Sequence, residues 1–352
     1  MGRRRRVRRR SWQPILWGLL ALAALGGLAG AFYFKVPADL WEDLLPVLEE
    51  GKRVTVLVEP GMNARQVARV IEEQGALEGP ASQLVYWMIR LGVDRRIRPG
   101  YYEIIRSSPW YVARQLRGMD PTLLRMTVIP GSDVFSLREA LSGDLPPGTG
   151  DALGTAVMDD ANYPGAMRAK LPADEESRIA FLQPETYLVV ERTPQELVKA
   201  ASSAWWDLRG ASADALPQSG LREAAIVASM VEREVLHDSE CRRVAGVIHN
   251  RLRERMPLQI DATVVYAWKL RGRRLTRVLN SDLTIDSPYN TYRVPGLPPR
   301  PICVPGSAAW DAALDPETHN YYYYVARKDG YHYFGKTYAE HLDNVKRARS
   351  EP

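Results

Sequence analysis

The chain has 352 residues, a net charge of +5 and 45% hydrophobic residues. Arg3, Arg4, Arg5, Arg6, Arg8, Arg9 and Arg10 supply +7 of that charge, so the rest of the chain carries −2. A folded part without excess basic charge excludes nucleic acid as a natural partner, because phosphate contacts need a cationic face. The length past the N-terminal segment suits two or three small domains.

The first element predicted is a membrane helix. Ile15–Phe34 are twenty uncharged residues, mostly Leu, Ala and Gly, and at about 1.5 Å per residue they span roughly 30 Å of hydrocarbon. Trp12, Trp17 and Tyr33 flank the run as interfacial aromatics. The arginines hold residues 1–14 in the cytoplasm as a basic tail, so the chain after Lys35 faces outward. A cleaved signal peptide is the alternative, with a shorter apolar core and a small-residue cleavage site. Phe32-Tyr33-Phe34-Lys35 is a poor match to such a site.

Residues 35–52 read as a stalk. A strand follows at Val54–Val58, closed by Pro60-Gly61. Asn63 and Gln66 form a capping box for the next helix, which Gly75 stops. A second helix near Ser82–Leu91 and a strand at Tyr101–Ile105 complete this part. The pattern then echoes: Met126–Ile129 leads into Pro130-Gly131, with Ser136 and Glu139 as a second capping box. Residues 143–178 read as loop, Phe181–Val190 as strand, and Thr193-Pro194-Gln195-Glu196 opens a long helix.

Leu221–His237 contains no Gly or Pro and reads as one helix. At about 100° per residue, Leu221, Ala225, Ala228, Val235 and Leu236 share one arc, and Glu232 falls in its middle. Glu223 and Glu234 fall on the opposite side, where water is expected. A carboxyl among apolar groups retains its proton to higher pH, as a general acid requires. The bland alternative pairs Glu232 with an arginine such as Arg251 or Arg255. Ala225 and Ala228 argue against it, being small enough to leave room for a ligand.

A short helix at Val244–Leu252 precedes Met256–Asp261, where Gln259 and Asp261 share one side if the segment is extended. Tyr289-Asn290-Thr291-Tyr292 then offers the amide, hydroxyl and aromatic groups that line sugar sites. The five histidines have no metal-ligand spacing, and no phosphate loop or serine elbow is present; neither metal nor cofactor is expected. Cys241 and Cys303 are equally compatible with a disulfide and with two free thiols.

Val231-Glu232-Arg233-Glu234, Val244-Ala245-Gly246-Val247, Asn250-Arg251-Leu252, Leu258-Gln259-x-Asp261, Tyr289-Asn290-Thr291-Tyr292 and Gly296-Leu297-Pro298-Pro299 occur in this order. Together with Tyr323-Tyr324-Val325-Ala326 and Gly330–Phe334, they resemble the endolytic murein transglycosylase (YceG-like) family, most closely over Ala224–Val345. The resemblance implies an α+β architecture: a single N-terminal transmembrane helix, a LysM-like α/β subdomain over 53–119, and a mixed α+β catalytic domain over 120–352. It implies a plasma-membrane enzyme with its active domain outside, and peptidoglycan glycan strands as substrate. Its reaction cleaves within a strand between N-acetylmuramic acid and N-acetylglucosamine and leaves a 1,6-anhydro end, terminating strand growth. Peptidoglycan synthases are candidate protein partners.

Glu232 falls on the family's catalytic glutamate, with Gln259, Asp261, Tyr289, Asn290, Thr291 and Tyr292 as substrate-binding candidates. Departures from the family pattern are Ile179-Ala180 in place of Glu-Gly, Ala262 in place of proline, and Arg300 in place of glycine. Two other readings stay open: a non-catalytic glycan-binding scaffold, and a hydrolytic muramidase using a second carboxylate such as Asp261.

Overall fold

A computed structural model describes residues 51–142 and 151–350. The basic tail, the apolar run Ile15–Phe34 and all but the last two residues of the stalk lie outside the described residues. Among those described, no helix is long and apolar enough to cross a membrane. The chain divides into two compact units, with the boundary in sequence between Thr122 and Leu123, and the secondary structure is mixed α+β.

The first unit runs β1 (Arg53–Val58), α1 (Ala64–Glu73), α2 (Ala81–Arg90), β2 (Gly100–Ile105) and α3 (Pro109–Gly118). β1 and β2 pair antiparallel, with Val56 opposite Tyr102. The capping box at Asn63 and Gln66 is formed in both directions. Gly75, at φ +75°, follows the end of α1 in the left-handed conformation that glycine adopts without strain. Val56, Ile71, Leu84, Met88 and Ile104 are fully buried between the two strands and the helices.

The second unit contains β3 (Leu124–Thr127), α4 (Val134–Ser142), α5 (Ala152–Met158), α6 (Glu175–Arg178), β4 (Thr186–Val189), α7 (Pro194–Asp214), α8 (Gln218–Glu234) and α9 (Cys241–Arg253). It continues with α10 (Asp261–Leu270), α11 (Ser307–Leu314), β5 (Tyr323–Ala326), β6 (His332–Gly335) and α12 (Tyr338–Ser350). β3 pairs antiparallel with β4, and β5 with β6. α8 lies at the centre: every residue from Ala224 to Val231 is buried, so the helix is enclosed on all sides. Beside it, Phe181, Trp205 and Trp310 meet with ring centroids 4.9 to 5.4 Å apart. Each ring buried this way stabilises the unit by roughly 2–3 kcal/mol.

Several local expectations change. The stretch expected as loop over 143–178 contains α5, capped by Asp151 through Gly154. The strand expected over Phe181–Val190 is confined to Thr186–Val189, because Ile179–Phe181 coil into a 3-10 turn that buries all three residues in the aromatic core. α4 begins earlier than the Ser136 box implied, since Asp133 accepts the Ser136 N–H at 2.8 Å and is the actual cap. The two Pro-Gly turns do share a geometry. Gly61 and Gly131 take φ +84° and +74°, and each turn closes with an i to i+3 bond, Met62 N–H to Glu59 O and Ser132 N–H to Ile129 O. Those features define type II turns, where only glycine fits the third position comfortably.

Candidate active site

Glu232 stands in the last turn of α8 and is half-buried. Two turns from distant parts of the chain enclose its carboxyl. One is the Pro130-Gly131 turn after β3; the other is Pro305-Gly306, which leads into α11. The backbones of these turns are joined, Gly131 N–H to Val304 O at 2.9 Å and Val304 N–H to Ser132 O at 2.8 Å. The Gly306 N–H donates to Glu232 Oε2 at 2.9 Å. A Cβ on Gly306 would lie 3.0 Å from that same oxygen, so glycine is what permits the approach. Oε1 faces the other turn, 4.0 Å from where a Cβ on Gly131 would sit.

Burial raises the Glu232 pKa above the ordinary carboxyl value, and nearby Asp238 adds to the rise; the Gly306 N–H and Arg233 oppose it. The arginine alternative is not what the fold builds. Arg251 gives its guanidinium to the carbonyls of Pro257, Leu258 and Tyr322, and Arg255 is exposed. Ala225 and Ala228 are in the core, so neighbouring elements fill the space once assigned to a ligand. Room beside Glu232 comes from the two glycines instead. Val235 and Leu236 lie past the end of α8, and Leu236 is 74% exposed.

A buried polar network fixes the Gly306 turn. Arg209 of α7, only 4% exposed, donates to Gln183 Oε1 at 2.9 Å and to Ser307 O at 3.2 Å, and pairs with Asp311 at 3.2 Å. Gln183 Nε2 donates to Ser307 Oγ at 3.0 Å. Gln183 O accepts from the Tyr187 hydroxyl at 2.6 Å, so the Pro184-Glu185-Thr186-Tyr187 motif supports the start of α11. Ala180 O accepts the Trp310 indole N–H at 3.0 Å; Ile179 and Ala180 therefore serve the core at that position.

Glu234 differs most from expectation. It is half-buried, not solvated. The Tyr324 hydroxyl of β5 donates to its Oε2 at 3.1 Å, and the Ala262 N–H at the start of α10 also favours its ionised form. Burial nevertheless dominates and pushes its pKa up to about 7. A proline at 262 would have no N–H to offer this carboxyl.

The predicted binding residues fall into two sets. Gln259 and Asp261 are exposed, but the segment is not an extended strand with both on one side. Gln259 is in the left-handed region at φ +53° and Asp261 begins α10. The Gln259 N–H donates to Thr291 O at 3.1 Å and the Ile260 N–H to Thr291 Oγ1 at 2.9 Å. A non-glycine residue held at positive φ costs about 1 kcal/mol or more, and the clamp on Thr291 maintains it. Tyr292 donates to Asp261 Oδ1 at 2.6 Å. Asn290 is fully buried, its amide giving both protons to Leu283 O and Ile285 O at 2.8 Å each. Thr291 is 1% exposed and Tyr289 packs edge-on against Tyr266 at 5.1 Å. Thr291 thus supports Gln259 and Ile260 from within the core, and Asn290 Oδ1 accepts the Tyr292 N–H at 3.2 Å.

A cleft of about 250 Å³ lies beside Glu232, lined by Gly131 and Arg233 and by Ala262, Tyr266 and Lys269 of α10; Gln259, Asp261 and Tyr292 are not among its lining residues. The residues that sequence reasoning missed are Gly131, Gly306, Gln183, Arg209, Glu234 and Tyr324. The repeated Pro-Gly pair at 130–131 and 305–306 was a visible signal for the first two. Cys241 and Cys303 are both free and buried.

A half-buried glutamate with one oxygen held by a backbone N–H stands beside a polar cleft on an α+β scaffold, an arrangement compatible with acid–base chemistry. A YceG-like family model matches residues 56–347, and the chain belongs to that family. It is 24% identical over 332 residues to a protein named endolytic murein transglycosylase from Bacillus subtilis (strain 168), with 89% of both chains covered. A protein of the same name from Streptococcus pneumoniae (serotype 2, strain D39) is 27% identical over 354 residues. That match covers 93% of this chain but 63% of the pneumococcal protein's length. The crystal structure of a YceG-like protein from Listeria monocytogenes shares the fold, with a TM-score of 0.53 at 22% identity, covering 83% of this chain and 98% of that one.

Proposed function

We propose that the protein is an endolytic peptidoglycan lytic transglycosylase, with Glu232 as its catalytic acid and base. The observation that carries this is the state of that carboxyl. Oε2 is fixed by the Gly306 N–H, Oε1 is turned toward the Gly131 wall of the cleft, and burial favours the protonated form. Protonated Glu232 gives its proton to the glycosidic oxygen as the bond to muramyl C1 breaks. The carboxylate so formed takes the proton of the muramyl C6 hydroxyl as that oxygen bonds to C1. The glucosaminyl leaving group keeps the first proton, the ring closes as a 1,6-anhydro sugar, and Glu232 ends ionised-then-reprotonated with no water consumed. One carboxyl is enough because the nucleophile belongs to the substrate, whereas glycoside hydrolysis needs a second. Gln259, Asp261 and Tyr292 bind the sugars from the surface, with Thr291 and Asn290 holding the Gln259 and Tyr292 backbones.

The wider reading is of a plasma-membrane protein. Ile15–Phe34 anchors it, residues 1–14 stay in the cytoplasm, and a LysM-like module over 53–119 and a catalytic domain over 120–352 act outside on nascent strands, with wall synthases as neighbours. The strand–helix–helix–strand order of β1, α1, α2 and β2 supports a glycan-binding module.

The test is product analysis. Uncrosslinked glycan strands incubated with the full chain should give 1,6-anhydro ends by mass spectrometry, and Glu232→Gln should abolish cleavage while the protein still melts normally. Reducing ends, lost on Asp261→Asn, would establish the muramidase instead. Strands bound but uncut by wild type would establish the scaffold.

A further inference from the structure

The charge of the cleft beside Glu232 is not accounted for by a neutral sugar backbone. Arg233, Lys269 and Arg274 line it against one acid, Asp133. Lys269 is committed to Asp133 and Arg274 to Glu139. Arg233 is exposed, and among the described residues no carboxylate forms an ion pair with it. Its position is specific: from the point where a Cβ on Gly131 would sit, Arg233 Nη1 is 3.3 Å away and Glu232 Oε1 4.0 Å. The guanidinium and the free oxygen of the proposed acid therefore approach the same glycine. Gly131, without a side chain, leaves the gap between them open.

A glycan of alternating N-acetylated sugars carries no charge on its rings. The acid it does carry hangs from the muramyl sugar, through the lactyl ether on C3. It is either the lactyl carboxylate itself or a carboxylate of a peptide joined to it. C3 lies on the same ring as the C1 under attack, so a muramyl sugar seated with C1 at Glu232 projects this substituent only a few ångströms from the reacting bond. A guanidinium matches a carboxylate with two parallel N–H donors. Lys269 and Arg274 are neutralised by Asp133 and Glu139, so the excess positive charge at the cleft is that of Arg233, and it draws acids toward this point.

We propose that Arg233 receives a carboxylate carried by the muramyl sugar at the cleavage point, so that the cleft selects acid-bearing glycan over neutral glycan and sets which sugar presents C1 to Glu232. This inference rests on the glycan-cleaving reading for the identity of the sugar, but its test is read from binding, without turnover.

The experiment uses the full chain in detergent, carrying Glu232→Gln so that strands stay intact. Three probes are titrated: uncrosslinked strands bearing peptides, strands stripped of peptide by an amidase so that the lactyl carboxylate is free, and strands with every carboxylate converted to its methylamide. Adding Arg233→Gln should raise the Kd about tenfold for at least one acid-bearing probe and leave the methylamide probe unchanged; Arg233→Lys should recover part of the loss. An effect on peptide-bearing strands alone assigns the peptide carboxylate, and an effect on stripped strands assigns the lactyl group. Binding of the acid-bearing probe should also weaken with salt more steeply with Arg233 present than with Arg233→Gln. Equal Kd changes on all three probes, or none on any, would overturn the proposal. Wild type that leaves strands uncut would defeat the lyase reading while leaving this comparison readable. Matched melting curves exclude misfolding; if Arg233→Gln melts early, the Arg233→Lys variant and the salt dependence of the parent decide.

Discussion

Glu234→Gln is the sharpest probe of how the end of α8 is built. Burial lifts the Glu234 carboxyl from 4.5 to about 7, so the folded protein keeps a proton that the unfolded chain has already released. Stability from this group is therefore fully retained below about pH 4.5 and declines as pH climbs toward 7, after which the loss is constant. At 1.36 kcal/mol per unit across the interval, the total loss is about 3 kcal/mol as an upper figure. Glutamine keeps the shape and removes the titration. Unfolding free energies of the full chain and the variant should be compared in detergent at several values from pH 5 to 8. The groups facing Glu234 are Tyr324, Asp261 and Arg233, with Arg251 close by; all are common to both proteins and drop out of the difference. The variant should gain on wild type by roughly 2–3 kcal/mol between pH 5 and 8. Parallel stability curves would refute the claim that this carboxyl is held in an apolar setting.

Other outcomes follow from single contacts. Gly306→Ala puts a methyl 3.0 Å from Glu232 Oε2, and should lower kcat about tenfold or more with little change in melting temperature; unchanged kcat would detach Gly306 from the chemistry. Asn290→Ala leaves the Leu283 and Ile285 carbonyls unpaired in the core, a loss of about 3 kcal/mol measurable by urea unfolding. Arg300→Gln breaks pairs with Asp174 at 3.3 Å and Glu176 at 3.0 Å; because the arginine is partly solvated, stability should fall by less than about 1 kcal/mol, and high salt should erase the difference.

Local chemistry was legible where the deciding atoms lie close in sequence. The Asn63 capping box, the Pro-Gly turns and the Thr193 cap of α7 all involve partners within four residues, and each forms. The Glu232 projection pointed to a carboxyl that does lie beside a cleft, but for an incomplete reason. A helix with one apolar stripe would place Glu232 at an opening in that stripe, whereas α8 is buried all round from Ala224 to Val231. On a helix enclosed on every side, apolar neighbours mark the core and not an opening. The opening is made by Gly131 and Gly306, about a hundred residues before and seventy after Glu232, and no periodicity within α8 could reveal them. The segment at Gln259 failed for a related reason. Alternation of polar and apolar residues suggested a strand, but Thr291 and Arg251 hold the backbone in a turn whose left-handed residue ordinary propensity disfavours.

Glu232 and Glu234 show what a sequence pattern leaves undecided. Two positions apart, they point about 200° from one another, and both carboxyls are half-buried and raised in pKa. Titration alone would favour Glu234 as the acid, because its value stands near neutrality. Geometry reverses that choice. Glu234 is held between β5 and the start of α10, with the Tyr324 hydroxyl and the Ala262 N–H directed at its carboxyl. Glu232 is held by one N–H on one oxygen, and its other oxygen faces a glycine at the cleft. A proton donor must reach the substrate before its pKa matters. Gly306→Ala and Glu234→Gln therefore separate the roles: the first should act on kcat with the fold intact, the second on the pH dependence of stability.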